Sequence, residues 1–175
     1  MAEKPGAGTG MVCGQMFEMK EGFALNRLKL LTMSDIPTEE VQWLWYPYLP
    51  RGKITIIQGD PGEGKTTFVL ALAALLTCGL PMPGGAESLP PMNIIYQTAE
   101  DGLADTVKPR LTALGADCSR VLVIDESERE LTLSDHRIAQ AIQETDAGLL
   151  VLDPIQAYLG EGVDMHRAND VRPIF

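Results

Sequence analysis

Residues 54–79 read ITIIQGDPGEGKTTFVLALAALLTCG, and this stretch decides the fold. It predicts a buried strand at residues 53–58, a glycine-rich loop, and a helix at residues 65–78 that Gly79 ends. The loop Gly59–Thr66 matches the pattern G-x-x-x-x-G-K-[ST] at each fixed position, between the strand and the helix that this pattern requires. The stretch therefore predicts a phosphate-binding loop.

The composition of this loop suits a triphosphate. Glycines let backbone N–H groups approach phosphate oxygens without side chains in the way, and the start of the helix attracts negative charge. Lys65 can reach the β- and γ-phosphates, and the hydroxyl of Thr66 can bind Mg²⁺. The sequence thus predicts ATP and Mg²⁺ as cofactors, with a nucleotide site made of Gly59, Asp60, Pro61, Gly62, Glu63, Gly64, Lys65, Thr66 and Thr67.

Length and composition indicate a single soluble globular domain, because the chain has 175 residues of which 45% are hydrophobic and 22% charged. The longest apolar run is far shorter than the roughly 20 residues that cross a bilayer, so no membrane span is expected. The three cysteines are widely spaced and the N-terminus lacks an apolar signal region. These features predict a reducing, cytoplasmic location.

The formal net charge of −10 argues against binding nucleic acid through bulk electrostatics. The argument weakens for a ring-shaped assembly, which can confine its basic residues to a central channel.

The remainder of the chain predicts an α/β domain. Residues 1–24 have no periodicity and read as a flexible leader before a core at residues 25–175. A helical stretch runs to Gly115, and Ser134 is expected to cap a helix to about Thr145 with Ile138 and Ile142 inward. Apolar strands that alternate with helices predict a parallel sheet sandwiched by helices, its later strands being residues 93–98, 121–125 and 148–153. The last residues look like a helix just beginning, so we expect the core to be truncated at its C-terminal end.

Four aromatic residues lie within six positions just before the loop strand, at Trp43, Trp45, Tyr46 and Tyr48. They can form a platform for the adenine base or for a partner subunit. They can also form a hydrophobic brace packed on the sheet edge, and this second interpretation is favoured.

Carboxylates end three of the predicted strands. Glu100 and Asp101 follow residues 93–98, at the strand edge where ligands gather in parallel sheets. Asp125 and Asp153 each end an apolar strand, as in the motif called Walker B, and Glu126 directly follows the first of them. The pattern alone leaves open which aspartate serves the metal.

The segments GDPGEGKTT, NIIYQTAED and LLVLDPIQAYLG, followed by GVDMHRAND, resemble the RecA-type ATPase core of DnaB-like hexameric helicases. The likeness extends to RepA-like replicative helicases of plasmids and to related AAA-type ATPases of phages and mobile elements, over about residues 30–175. The resemblance implies a RecA-like P-loop NTPase core.

The resemblance also implies an activity, Mg²⁺-dependent ATP hydrolysis by a DNA helicase or a replication or recombination ATPase. In this family the strand after the loop helix ends in the catalytic glutamate, which matches Glu100. Lys65, from the loop pattern, is the other catalytic candidate. The fourth strand carries the Mg²⁺-associated aspartate, which matches Asp153. The implied assembly is a homo-oligomeric ring such as a hexamer, with single-stranded DNA as a partner.

The sequence departs from that family where the core should continue into a sensor strand and into a basic residue that reaches a neighbour's γ-phosphate. Neither lies within residues 1–175, and Arg167 and Arg172 read as plain surface residues. The resemblance implies that the loop at residues 160–169 can touch single-stranded DNA through His166 and Arg167, although an ordinary solvent loop is favoured.

Two other functions fit the same loop. A non-motor ATP switch that regulates a protein partner suits the acidic composition. A small-molecule kinase ranks last, because it needs an arginine-rich lid and residues 126–137 contain only Arg129 and Arg137.

Replacing Lys65 with alanine tests the loop assignment. The change removes the cation expected at the β- and γ-phosphates, so tight ATP binding should be lost in an equilibrium titration. Lys53→Ala, outside the loop pattern, is the control and should bind as the parent does. Undiminished affinity in Lys65→Ala would falsify the assignment.

Overall fold

The structure is a computed structural model that describes residues 11–12, 15–16, 28–160 and 163. The chain divides into two compact units, Met1–Glu40 and Val41–Phe175. Most of the predicted leader and most of the predicted loop at residues 160–169, including His166 and Arg167, lie outside the described residues.

The described part of the first unit contains two short strands and one turn. Strand β1 (Met11–Val12) pairs antiparallel with β2 (Gln15–Met16). A 3₁₀ turn follows at Met33–Asp35.

The second unit is an α/β layer structure, as predicted. Its sheet is parallel with the strand order β6-β5-β7, and a separate antiparallel hairpin pairs β3 with β4. The elements in chain order are β3 (Trp43–Trp45), β4 (Leu49–Pro50), α1 (Lys65–Cys78), β5 (Asn93–Thr98), α2 (Lys108–Ala113), β6 (Val121–Leu122), α3 (His136–Thr145) and β7 (Ala147–Asp153).

Helices cover both faces of the sheet because side chains alternate along each strand. Ile94 and Tyr96 pack with α1 and α2, in a cluster that Leu149 and Val151 complete. The intervening residues of β7 pack on the other face, against the cluster of Leu131, Ile138 and Tyr158. Strand β5 is central, so its side chains at residues 94–97 are fully buried.

Helix α1 has the predicted bounds, Lys65–Cys78. Gly79 ends it with φ of 65°, and its N–H donates to the carbonyl groups of the last turn. The helix packs between β5 and α2, with Leu70 and Ala73 completely buried. The predicted sandwiched position of this apolar helix is confirmed.

The prediction of a strand at residues 53–58 is wrong for this structure. The segment has no strand assignment, none of the described strands pairs with it, and Ile54 and Ile56 are 61% and 70% exposed. A run of β-branched residues has strand propensity, but propensity does not supply a neighbour with free backbone groups. Strand β7 pairs with β5 along one edge, and no described segment pairs along the other.

The prediction of a strand at residues 121–125 is correct only at its start. Strand β6 ends at Leu122 because the side chain of Gln97 takes over the pairing. Its Oε1 accepts from Ile124 N at 2.7 Å and its Nε2 donates to Ile124 O at 3.2 Å. The side-chain amide of Gln97 thus binds the backbone of Ile124 where a strand backbone would otherwise pair.

Helix α3 begins later than predicted and has a different cap. Asp135, rather than Ser134, caps it by accepting from Arg137 N at 2.9 Å. Ile138 is buried as predicted, whereas Ile142 is 36% exposed. The shift follows from Asp135, whose buried carboxylate also accepts from Arg137 Nη2 at 2.9 Å.

The helical stretch before Gly115 begins with one wide turn at Leu103–Val107, and α2 then starts afresh with Pro109 in its first turn. No helix in the described part of the chain is long and apolar enough to span a membrane.

Asp135 should give the unfolding free energy a characteristic dependence on pH. Hydrogen bonds from Arg137 lower the pKa of Asp135 from 3.8 to about 2 in the folded chain. The stabilisation that the ionised Asp135 carboxylate gives to the fold is therefore complete above about pH 4 and is lost as the pH falls through about 2. Asp135→Asn should lower the unfolding free energy at neutral pH, and the difference from the parent should shrink between pH 4 and 2 in urea titrations.

The control is Glu144→Gln, an exposed residue of the same helix that accepts one hydrogen bond, from Gln140 at 2.8 Å. A difference for Asp135→Asn that stays constant from pH 7 to 2 would contradict the predicted linkage.

Candidate nucleotide-binding site

The phosphate-binding loop has the backbone conformation that its glycines allow. Gly62 and Gly64 have φ of 84° and 82°, in the left-handed region where a side chain is strained. Gly64 directly precedes α1, so the loop leads into the positive end of that helix. Residues 59–64 are exposed. The loop therefore presents its backbone to solvent at a helix N-terminus.

Lys65 lies against this loop. Its Nζ donates to the carbonyl groups of Gly59 at 2.9 Å and Asp60 at 2.8 Å. Glu63 also folds back, and its carboxylate accepts from Asp60 N at 2.8 Å. The ammonium group is thus held beside the backbone that is predicted to take the phosphates, while Pro61 and Thr67 are exposed on either side.

The first turn of α1 meets the end of β7. Thr66 Oγ1 donates to Asp153 Oδ2 at 2.9 Å, across 87 residues of chain. Asp153 faces α1 because it continues the alternation of Leu149 and Val151, which pack on that side. The structure therefore brings together the two residues that were predicted to serve the metal.

Tyr96 joins the same carboxylate, and sequence reasoning missed it. Its hydroxyl donates to Asp153 Oδ2 at 3.0 Å, and its ring is completely buried in the α1 face of β5. Burial, reinforced by the charge of Asp153 and this hydrogen bond, raises the pKa of Tyr96, so the hydroxyl keeps its proton. The strand pattern places Tyr96 on the same face as Thr98, two positions later, but does not show which carboxylate that face meets.

Glu100 and Asp101 lie just past the end of β5, beside Asp153. The N–H of Ala99 donates to Asp153 O at 3.1 Å, which places the following residues at the same sheet edge. Thr98 Oγ1 accepts from Asp101 N at 3.1 Å and holds this turn. Asp101 pairs with Arg110 at 3.3 Å, whereas Glu100 is exposed and its carboxylate bonds to none of the described residues.

Asp125 and Glu126 are placed elsewhere. Asp125 accepts from Ser127 N and Oγ at 2.9 and 3.0 Å, and these bonds lower its pKa. Glu126 accepts from Gln97 Nε2 at 2.7 Å and from Leu131 N at 3.0 Å. Both carboxylates thus organise the loop after β6, and the structure places Asp153, not Asp125, beside Thr66.

The arginines considered for a kinase lid are also engaged. Arg137 binds Asp135 and donates to the carbonyl groups of Asp125, Arg129 and Glu130 at 3.3, 3.1 and 2.8 Å. Arg129 lies 3.7 Å from the same Asp135 carboxylate. Arg137 therefore cross-links the loop to α3.

The aromatic residues before the loop form a brace, with part of their surface exposed. Trp45 lies 6.1 Å from Phe68 of α1 between ring centres and donates its indole N–H to Pro83 O at 2.9 Å. Tyr46 and Tyr48 remain 72% and 62% exposed. The hairpin is thereby fixed to α1, whereas the favoured interpretation placed the brace on the sheet edge.

Mg²⁺ would find two protein oxygens here, Thr66 Oγ1 and a carboxylate oxygen of Asp153. Within the described residues no group of three or more His, Cys, Asp or Glu side chains could hold a metal by itself. A hydroxyl and a carboxylate are hard oxygen ligands of the kind Mg²⁺ prefers when phosphates and waters complete its octahedron. The residues present therefore fit a metal that arrives with a nucleotide.

Two curated relatives are similar to part of the chain, and both are named DNA repair protein RadA. The protein from Bacillus subtilis (strain 168) is 31% identical over 106 residues, which is 61% of this chain and 19% of the relative. The protein from Halalkalibacterium halodurans is 31% identical over 105 residues, which is 60% of this chain and 19% of the relative. The chain thus spans about a fifth of the length of these relatives. No solved structure matches it.

A family model described as AAA domain, AAA_25, matches residues 24–175. The match covers most of the chain and includes the loop, the β5 edge and Asp153, which the structure brings together. The chain therefore belongs to the AAA_25 family of AAA domains, a family of P-loop ATPases.

Proposed function

We propose that this chain binds ATP and hydrolyses it in a Mg²⁺-dependent reaction. The observation that carries the proposal is the 2.9 Å hydrogen bond between Thr66 Oγ1 and Asp153 Oδ2. It joins the loop residue that suits a Mg²⁺ bound to phosphates with a carboxylate at the C-terminal edge of the sheet. Family membership supports the same activity.

Each residue has a distinct part in this proposal. The backbone of residues 59–64 and the end of α1 bind the phosphates, and Lys65 turns from the loop carbonyls to the β- and γ-oxygens. Thr66 and Asp153 hold Mg²⁺, which neutralises charge on the phosphate oxygens when it is bound. Glu100, exposed at the neighbouring strand end, orients a water and accepts its proton.

At a finer level we propose a motor of the RecA/DnaB type that acts on DNA, similar to RepA-like replicative helicases. The sequence resemblance supports the motor type, and two relatives named as DNA repair proteins support an action on DNA. Such a motor works as a ring, and a ring suits the exposure of residues 59–64, which a neighbouring subunit can cover. The proposed partners are further copies of this chain and single-stranded DNA, and the proposed location is the cytoplasm.

The second candidate is an ATP switch of the same fold that regulates a protein partner. The net charge of −10 favours it, because single-stranded DNA needs positive charge along its path.

The roles of the two carboxylates can be separated by conservative substitutions. Glu100→Gln keeps the shape but removes the base, so ATP binding should persist while turnover falls by about 10²- to 10⁴-fold. Asp153→Asn should instead raise the Mg²⁺ concentration for half-maximal turnover by roughly 10- to 100-fold. Steady-state ATPase assays over a Mg²⁺ series measure both effects.

Asp125→Asn is the matched control, because that carboxylate caps Ser127 rather than meeting Thr66. Asp101→Asn controls for charge next to Glu100, since Asp101 binds Arg110. If Asp125→Asn shows the metal phenotype and Asp153→Asn does not, the assignment of the metal residue is wrong.

The ATPase rate with and without single-stranded DNA separates the motor from the switch. For a DNA motor we expect stimulation by DNA that weakens as salt rises, because phosphate contacts release counterions. Glu100→Gln is the control for contaminating activity. A rate that DNA does not change at any salt concentration selects the switch.

A further inference from the structure

We propose that Tyr96 is a positioning residue that fixes the Asp153 carboxylate beside Thr66, so that nucleotide and Mg²⁺ bind cooperatively. The inference rests on the proposed function and adds a residue to its site. No feature of the loop motif points to Tyr96, which lies 31 positions after Lys65 in the middle of a buried strand.

The hydrogen bonds at Asp153 are asymmetric. Both Thr66 Oγ1 and the Tyr96 hydroxyl donate to the same oxygen, Oδ2, at 2.9 and 3.0 Å. No described residue donates to Oδ1. Two donors on one oxygen fix the rotation of the carboxylate and leave the other oxygen free for a metal ion or for a water bound to it.

The two donors differ in how firmly they are held. Thr66 belongs to the first turn of α1 beside an exposed loop, and its own oxygen is needed for the metal. Tyr96 is completely buried in the central strand, among residues of α1 and α2. Its hydroxyl therefore stays in place whether or not a nucleotide occupies the loop.

This arrangement matches how metal-binding carboxylates are organised. A ligand whose orientation is fixed by a hydrogen bond loses little entropy when the metal binds, and removing such a partner usually costs 10- to 100-fold in metal affinity. Without Tyr96, Asp153 would have to be oriented by Thr66 alone. The expected consequence is weaker coupling between nucleotide and Mg²⁺, with the nucleotide contacts of the loop unchanged.

Tyr158 provides a matched comparison on the opposite face of the sheet. It is also completely buried, but its hydroxyl has no hydrogen-bond partner among the described residues. Removing this hydroxyl changes a buried tyrosine to phenylalanine without removing a hydrogen bond from the Asp153 carboxylate. A general effect of losing a buried hydroxyl would appear at both tyrosines, whereas a positioning role belongs to Tyr96.

The test compares the parent chain with Tyr96→Phe and Tyr158→Phe. ATP affinity is measured by isothermal titration calorimetry in excess Mg²⁺ and again in excess EDTA. The dissociation constant in EDTA divided by the dissociation constant in Mg²⁺ reports the coupling between ATP and Mg²⁺. We expect the ratio for Tyr96→Phe to fall about 10-fold from the parent value, with the dissociation constant in EDTA unchanged. Tyr158→Phe should retain the parent ratio.

Four outcomes overturn the inference. If neither dissociation constant changes in Tyr96→Phe, Thr66 suffices to orient the carboxylate. Equal losses in Mg²⁺ and in EDTA show that the hydroxyl supports only the fold, and equal changes in both tyrosine variants show the same. A parent chain that binds ATP without any effect of Mg²⁺ refutes the proposed metal site itself, which distinguishes that failure from the failure of Tyr96.

Discussion

The hydrogen bond between Thr66 and Asp153 is the constraint on which the site depends. It ties the start of α1 to the end of β7, two elements that are far apart in the chain and meet at one corner of the sheet. The bond forms because α1 lies over the face to which odd-numbered residues of β7 point, as Leu149 and Val151 show. A shift of β7 by one residue would turn Asp153 to the other face and remove it from the loop.

The same alternation explains the role of β5. Asn93–Thr98 is the central strand, and its register sets Thr98 opposite Asp153. Tyr96 then lies one pleat back on the α1 side, within reach of the carboxylate. Glu100 lies beyond the strand end, where the chain turns away and becomes exposed. One strand thus supplies a rigid donor from its buried part and a free carboxylate from its exposed end.

The opposite face uses its charged residues to organise a loop. Glu126 is bound by Gln97 and by a backbone N–H of the loop, and Arg137 links Asp135 to three backbone carbonyl groups. These bonds satisfy polar groups that are partly or wholly removed from water, which is costly without partners. Side chains that looked available for metal binding or for a kinase lid are therefore committed to structure.

The sequence alone predicted the features that depend on the pattern of neighbouring residues. The loop motif, the bounds of α1 and of β5, and the covered parallel sheet follow from glycine placement, apolar runs and caps, all of which act over a few residues. The prediction of a strand at residues 53–58 was wrong because strand propensity is a local property, whereas a strand also needs a partner. No described segment provides that partner.

Tertiary structure decided how distant residues combine. Asp125 and Asp153 end similar apolar runs, and pattern could not separate them. The two aspartates are distinguished by the order of the strands in the sheet and by the face to which each side chain points. Asp153 lies beside Thr66, whereas Asp125 accepts hydrogen bonds from Ser127. Tyr96 escaped sequence reasoning for the same reason, since a tyrosine in a buried strand is ordinary until its hydroxyl meets a carboxylate that lies 57 residues away.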